Sequence, residues 1–160
     1  MVKKLIFICI LLLIIPVSTM KNNYQQKLLI KTNDDSIGKL IINKICLKQK
    51  LYPINNSKNN IEEHVTILEE IDNTIVIAAH SGTGPIAYFE RLDELNIDDE
   101  IILYYKNKKY IYVVTEIWEE KKNGYIHINK ENKRQLVLTT CSPKKTNYQL
   151  IVNCIEKEST

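Results

Sequence analysis

The chain has 160 residues, 44% of them hydrophobic and 26% charged, and 22 Lys and Arg against 19 Asp and Glu leave a net charge of +3. These values are those of an ordinary globular protein, long enough for one domain and a short appendage. The charge is too weak and too evenly mixed for a nucleic-acid surface, so nucleic acid is not an expected partner.

The N-terminal segment has the pattern of an export signal. Lys3 and Lys4 precede an unbroken apolar run from Leu5 to Val17, and a polar stretch follows. The run is shorter than the ~20 residues of a comfortable membrane span, which favours a cleaved signal. However, no small-x-small cleavage site follows it, so we favour an uncleaved signal-anchor. The positive flank stays inside, which predicts a single-pass protein of the cell membrane with its body outside the cell.

The predicted organisation is therefore a signal-anchor or transmembrane helix over residues 1–20, a polar linker over 21–36 and one folded domain over 37–160. Most of that domain is predicted to be β-strand. In chain order the strands are Gly38–Leu47, Val65–Leu68 (strand or turn), Thr74–Ala79, Ile101–Tyr105, Tyr110–Trp118, an optional short strand Tyr125–Ile128, Leu136–Cys141 and Gln149–Ile155.

Between these strands lie polar loops, such as Asn55–Asn60 and Glu69–Asn73, and one segment with helical spacing, Ala87–Leu95. About eight short strands without regular alternation of strand and helix favour a mostly β fold, a closed antiparallel or mixed β-barrel with one or two short helices.

Two apolar strands end in reactive residues. The run Thr74–Ala79 ends at His80, and the run that begins at Leu136 ends at Cys141, with Pro143 blocking its continuation. Catalytic groups are best held where a rigid element ends and a loop begins. An imidazole near a thiol helps it to ionise, and the imidazolium can then protonate a leaving amine. We therefore predict that His80 and Cys141 open into one mouth of the barrel.

The remaining cysteines and histidines point to no other site. Cys46, Cys141 and Cys154 follow the apolar segment, an odd number, so at least one thiol is free. If the last two strands pair around their turn, Cys154 lies opposite the start of the first one, too far from Cys141 for a disulfide. His64 reads as a surface residue and His127 as part of a short strand, and without ligand spacing no metal is expected.

The segments Ala79-His80-Ser81-Gly82 and Leu138-Thr139-Thr140-Cys141, each after a buried strand, resemble the two signature strands of the sortases. These are cysteine transpeptidases of Gram-positive and related bacteria, and the likeness covers roughly residues 37–155. It implies a sortase-like barrel tethered to the bacterial membrane by its N-terminus. It also implies that Cys141 attacks the Thr–Gly bond of a Leu-Pro-x-Thr-Gly-like sorting signal near the C-terminus of surface proteins, with His80 as the acid.

The resemblance further implies that an amine of a peptidoglycan precursor or a pilin resolves the thioester, and that no metal or organic cofactor takes part. Thr140 and Ser81 are expected to contact the substrate. One residue departs from the family pattern, because Gln149 stands where sortases carry an arginine. An amide can donate a hydrogen bond but brings no charge.

Three explanations of Gln149 are open. In sortases the arginine hydrogen-bonds the substrate and helps to hold the oxyanion. The Gln149 amide takes over this role, Lys144 or Lys145 supplies the charge from the neighbouring turn, or the enzyme is impaired. Two further readings of the whole chain are a cysteine hydrolase, in which water resolves the acyl-enzyme, and a secreted β-barrel binding module. In the last, Cys141 is packing and His80 a turn residue.

Overall fold

The computed structural model describes residues 34–129 and 131–157. The eight strands are β1 Gly38–Ile42, β2 Leu47–Leu51, β3 Thr66–Ile71, β4 Thr74–Ala78, β5 Glu100–Tyr105, β6 Lys108–Lys121, β7 Gln135–Cys141 and β8 Tyr148–Glu156. The helical elements of this part of the chain are two 3-10 helices, Asn43–Ile45 and Leu92–Glu94. The signal-anchor predicted over residues 1–20 and nearly all of the linker predicted over 21–36 lie outside the described residues. Within those residues, no helix has the length and apolar character to cross a bilayer.

All eight strands belong to one sheet, in the order β2-β1-β5-β6-β8-β7-β4-β3. Neighbouring strands are antiparallel except β4 and β7, which run parallel. The mostly β architecture with short helices is as predicted from the sequence.

The sheet curls around one core without closing, whereas we expected a closed barrel. Every strand contributes to the main core, including Leu47 of edge strand β2 and Ile67 of edge strand β3. No ladder joins these two edges in the described strand order. Instead, Glu70 of β3 accepts hydrogen bonds from the Tyr105 hydroxyl (2.9 Å) and from Lys106 Nζ (2.7 Å) at the far end of β5. The fold is therefore a half-barrel that is bridged by side chains at this point.

Both edges are built in ways that oppose further strand pairing. A bulge between Ile67 and Glu69 shifts the register of β3 against β4. On β2, Lys48 and Lys50 are exposed. Bulges and charged side chains are common protections of sheet edges, and here they account for the open seam.

Strands β4 and β7 are buried on both faces, which explains their continuous apolar sequences. On one face, residues such as Ile77 and Leu138 belong to the main core. On the other face, Val76, Val137 and Ile151 form a second cluster. Trp118 of β6 and two residues of the β6–β7 connection, Ile126 and Ile128, pack against this cluster. We call this side of the sheet the outer face.

The prediction of a helix over Ala87–Leu95 is wrong, but the apolar residues predicted to share one face of it are buried. Phe89, Leu92 and Leu95 are buried in the main core. The Phe89 N–H, however, donates to His80 O (2.9 Å) instead of to a carbonyl one turn earlier. Tertiary contact with the end of β4 thus replaces helical bonding, and only a 3-10 turn over Leu92–Glu94 remains.

Other boundaries also differ from the prediction. The single strand expected over Gly38–Leu47 is split into β1 and β2 by a 3-10 turn that ends at Cys46, which has a φ of 57°. The loop expected over Glu69–Asn73 is largely strand, because β3 continues to Ile71. The optional strand Tyr125–Ile128 does not form, and this stretch lies over the outer face without pairing.

Candidate active site

Strands β4 and β7 end side by side and point in the same direction. Their ladder ends with the pair Ala78 and Thr139, and His80 and Cys141 each follow this pair by two residues. Both residues lie on the outer face, because side chains alternate along a strand and Val76 and Val137 mark that face. The parallel pairing therefore brings the two reactive residues to one level of one face.

Short hydrogen bonds fix the ends of these strands. The buried Thr140 hydroxyl donates to Ala79 O (2.7 Å), on the core side of the sheet. The Ser81 hydroxyl donates to Cys141 O (2.9 Å). Both residues predicted to contact substrate thus bond the backbone of the opposite strand end, and each helps to hold His80 and Cys141 in register.

Cys141 is exposed, and its sulfur has a basic neighbour. Lys122, which follows β6, places Nζ 2.8 Å from Cys141 Sγ. The Lys122 N–H also donates to Asn147 O (2.8 Å), so its backbone is tied to the turn before β8. Sequence reasoning missed this residue, because it lies in a run of charged residues and only the strand register shows which of them faces the thiol.

The His80 ring is half-buried and has an acidic neighbour. Nε2 lies 3.5 Å from Glu62 Oε1, an ion-pair distance. The contact lacks hydrogen-bond geometry, and Nε2 has no hydrogen-bond partner in the part of the chain that the structure describes. This nitrogen is itself buried, although the His80 side chain as a whole is 33% exposed.

Gln149 lies directly opposite Cys141 in the β7–β8 ladder. Its Nε2 donates to Glu120 Oε1 (3.0 Å) and to Tyr125 O (2.8 Å). Because both partners are acceptors, they fix the orientation of the amide and use both of its hydrogens, which leaves Oε1 for any further bond. Gln149 therefore reaches the site as a hydrogen-bond acceptor.

Glu120 connects this amide to a histidine. His127 Nδ1 lies 3.0 Å from Glu120 Oε2, and the His127 N–H donates to Oε1. Burial acts to raise the pKa of Glu120, but the bonds from His127 and Gln149 outweigh it and hold the pKa below its ordinary value. The carboxylate thus stays charged and anchors the β6–β7 connection beside the site.

The turn between β7 and β8 carries the two lysines that the sequence suggested as alternative cations. Lys145 Nζ lies 3.1 Å from Glu119 Oε2, and the Ser142 hydroxyl donates to the other oxygen of this carboxylate. These bonds, the one from Ser142 first, lower the pKa of Glu119. Glu119 pairs with Leu150, a residue of the main core, so this cluster lies on the opposite face from Cys141. The positive charge of Lys144 also lowers the pKa of Glu119.

The other cysteines and histidines lie apart from this site. Cys154 pairs with Leu136 at the start of β7, so the prediction that it cannot bridge Cys141 is confirmed. It is buried, and burial raises the pKa of its thiol. Cys46 is exposed near the 3-10 turn after β1. His64 packs against the ring of Tyr52, with 5.2 Å between centroids.

A cavity of about 340 Å³ lies at the other end of the same strands, lined among others by Thr74, Val76, Ile128 and Gln135. Gln135 precedes Cys141 by six residues of strand, about 20 Å. The cavity is therefore not the space around the Cys141 thiol, which is exposed.

The comparison with known families is decisive. Residues 40–156 match the family model described as the Sortase domain. The chain belongs to the sortase family. Sortases are cysteine transpeptidases that act on sorting signals, so this sortase is an enzyme of that class, and its subclass is not specified by the match.

Solved sortase structures share its fold. Sortase A from Corynebacterium diphtheriae, as a lid mutant, is 21% identical, with 78% of this chain and 72% of that chain covered at a TM-score of 0.66. Sortase C of Streptococcus pneumoniae is 23% identical, with coverages of 79% and 71% and a TM-score of 0.67. Sortase C-1 from Actinomyces oris is 20% identical, with coverages of 85% and 82% and a TM-score of 0.64. No curated protein gives a significant match.

Proposed function

We propose that this sortase cleaves a Leu-Pro-x-Thr-Gly-like signal near the C-terminus of surface proteins and transfers the protein to an amine of the cell wall or of a pilin. Cys141 is the nucleophile, and His80 is the acid and base. The observation that supports this most directly is the parallel pairing of β4 and β7. This pairing brings together the strand ends that His80 and Cys141 follow or terminate, and the Ser81 hydroxyl donates to Cys141 O.

The first half-reaction forms a thioester. The ionised sulfur of Cys141 adds to the carbonyl carbon of the Thr–Gly bond, and the carbonyl π electrons move onto oxygen. When the tetrahedral intermediate collapses, that electron pair re-forms the carbonyl and the C–N bond breaks. The His80 imidazolium gives its proton to the leaving glycine nitrogen.

The second half-reaction reverses these steps with a different amine. The amine adds to the thioester carbon and gives a proton to the now neutral His80, and the C–S bond breaks to return the ionised sulfur. Water in place of the amine gives hydrolysis instead. The exposure of Cys141 gives an acceptor amine access to the thioester.

The neighbouring residues have supporting roles in this proposal. Gln149 accepts a hydrogen bond from the substrate backbone through Oε1, since both of its N–H groups are already used. Thr140 and Ser81 keep the strand ends aligned through their bonds to Ala79 O and Cys141 O. A misalignment of about 1 Å between reacting groups can reduce rate by ~10²-fold, so such bonds matter for catalysis.

The test uses the full chain with a fluorogenic Leu-Pro-x-Thr-Gly peptide, with and without an added amine. Cys141→Ala should abolish cleavage, and His80→Ala should reduce it by about 10²- to 10⁴-fold. Cys46→Ala is the matched control, because it removes another exposed thiol outside the site. Amine incorporation supports the transpeptidase, cleavage unaffected by amine supports a hydrolase, and peptide binding without cleavage supports a binding module.

The proposed place of the enzyme is the outer surface of the bacterial membrane, tethered by residues 1–20. The basic and apolar sequence of that segment supports this. Full-length protein expressed in a Gram-positive host should partition with membranes, and a chain lacking residues 1–20 should not. Full-length protein found only in the medium would instead indicate a cleaved signal.

A further inference from the structure

The proposed reaction develops negative charge in two places, and the geometry favours one cation for both. The charge is on the Cys141 sulfur before attack and on the substrate carbonyl oxygen after it. A group that stabilises such charge must be positioned in advance within a few ångströms. Lys122 Nζ already lies 2.8 Å from Sγ. Within the described residues, the Lys122 ammonium makes its hydrogen bond to the Cys141 sulfur.

A bulge in β6 is what turns Lys122 towards the thiol. Val114 pairs with Cys154 but Glu116 pairs with Asn153, so Thr115 is an extra residue in β6. Before the bulge Val114 faces the main core, and after it Trp118 faces the outer cluster. The alternation continues through Glu120 to Lys122, which places both on the outer face with Cys141.

Without the extra residue, the same alternation would turn Lys122 to the opposite face. Its backbone bond to Asn147 O extends the β6–β8 ladder past the register pair Lys121 and Tyr148. The position of the lysine is therefore set by the sheet and not by a free loop.

The other charged groups around the thiol are already paired. On the β4 side, His80 stands against Glu62. On the β6 side, Glu120 is bonded by His127 and Gln149. A larger set lies at the β7–β8 turn, where Lys145 and Ser142 bond Glu119 on the opposite face and Lys144 acts on the same carboxylate. Gln149 has no N–H left to stabilise an oxyanion.

We propose that Lys122 is the cationic residue of this active site, which stabilises the ionised Cys141 sulfur in the free enzyme and the substrate oxyanion during acyl transfer. The inference rests on the proposed function, because it assigns a role within the same reaction. Lys122 keeps its proton throughout, so it changes no step of the proton balance given above. Lys122 supplies the positive charge from the end of β6, whereas Gln149 lies on β8.

The test compares Lys122→Met and Lys122→Arg with Lys121→Met, a neighbouring exposed lysine whose side chain alternates to the other face. All are made in a background with Cys9→Ala and Cys46→Ala, so that iodoacetamide reports on Cys141 while Cys154 stays buried. Lys122→Met should lower kcat/KM by roughly 100-fold, the lower end of the ~10²- to 10³-fold loss seen on removing one oxyanion donor, because this site is exposed. It should also move the alkylation profile of Cys141 to higher pH. Lys122→Arg should restore most of both, and Lys121→Met should match the parent.

Two results would overturn the inference and leave the proposed function standing. In the first, Lys122→Met has the same kcat/KM and the same pH profile of alkylation as Lys121→Met, while Cys141→Ala is inactive. The other is equal loss in Lys122→Met and Lys122→Arg with an unchanged alkylation profile, which indicates a structural role. If Lys122→Met unfolds at a lower temperature than the parent, Lys122→Gln replaces it under the same criteria. Cleavage that persists in Cys141→Ala would instead refute the proposed function itself.

Discussion

Gln149 offers the sharpest test of how this site is held together. Its amide joins three segments, since it lies on β8 and donates to Glu120 of β6 and to Tyr125 of the β6–β7 connection. Gln149→Ala removes both hydrogen bonds, and Gln149→Met removes them while it keeps most of the side-chain volume. A comparison of the two variants separates the hydrogen bonds from packing.

The structure gives the size of the effect. A hydrogen bond to a charged group contributes about 1.5–3 kcal/mol and one between neutral groups about 0.5–1.5 kcal/mol. The lower ends apply, because Gln149 is only half-buried and Tyr125 is exposed, so water can replace part of what is lost. We expect a loss of about 2 kcal/mol in the free energy of unfolding for both variants.

Urea unfolding at pH 7 measures that loss, and peptide cleavage measures the activity. The acceptor Oε1 contributes one hydrogen bond to substrate in our proposal, so kcat/KM should fall by about 3- to 10-fold, far less than in His80→Ala. A double-mutant cycle with Glu120→Gln should show coupling of about 1 kcal/mol. Unchanged stability in Gln149→Met, or a loss of activity as large as in His80→Ala, would refute the reasoning.

Two further predictions concern the strand ends and the seam. Thr140→Val should cost about 1–2 kcal/mol of stability and reduce kcat without affecting KM, because it removes a buried donor to Ala79 O on the core side of the sheet; a change confined to KM would contradict this. At the seam, the hydrogen bond from Lys106 and the weaker contribution of the one from Tyr105 hold the pKa of Glu70 below its ordinary value. A lowered pKa in the folded state contributes stability at neutral pH that is lost as the pH falls through that pKa. Glu70→Gln should therefore be less stable than its control Glu69→Gln at pH 7, by up to ~1 kcal/mol, and this difference should shrink as the pH falls below 4.5; a difference that does not change with pH would count against an ionic origin.

Local sequence patterns predicted the reactive pair and the strands that carry it. Continuous apolar runs ending at His80 and at Cys141 are local signals, and strands buried on both faces produce them whatever their neighbours are. The two signature segments also identified the family, which the match over residues 40–156 then showed. Cys154 could be placed away from Cys141 because a turn between consecutive strands fixes their register.

Only the tertiary structure decided how the site is completed and how the sheet ends. One extra residue in β6, Thr115, reverses which side chains face the thiol, and no periodicity in a charged run records such a shift. The contact of Phe89 with His80 O replaced a helix that the spacing of apolar residues had favoured. The seam between β2 and β3 stayed open because of a bulge and edge charges whose effect depends on where the edges lie. Side-chain periodicity along a strand is a local property, whereas register and closure are set by pairing between segments far apart in the chain. The sequence by itself therefore predicted which residues react, and the fold determined which charges surround them.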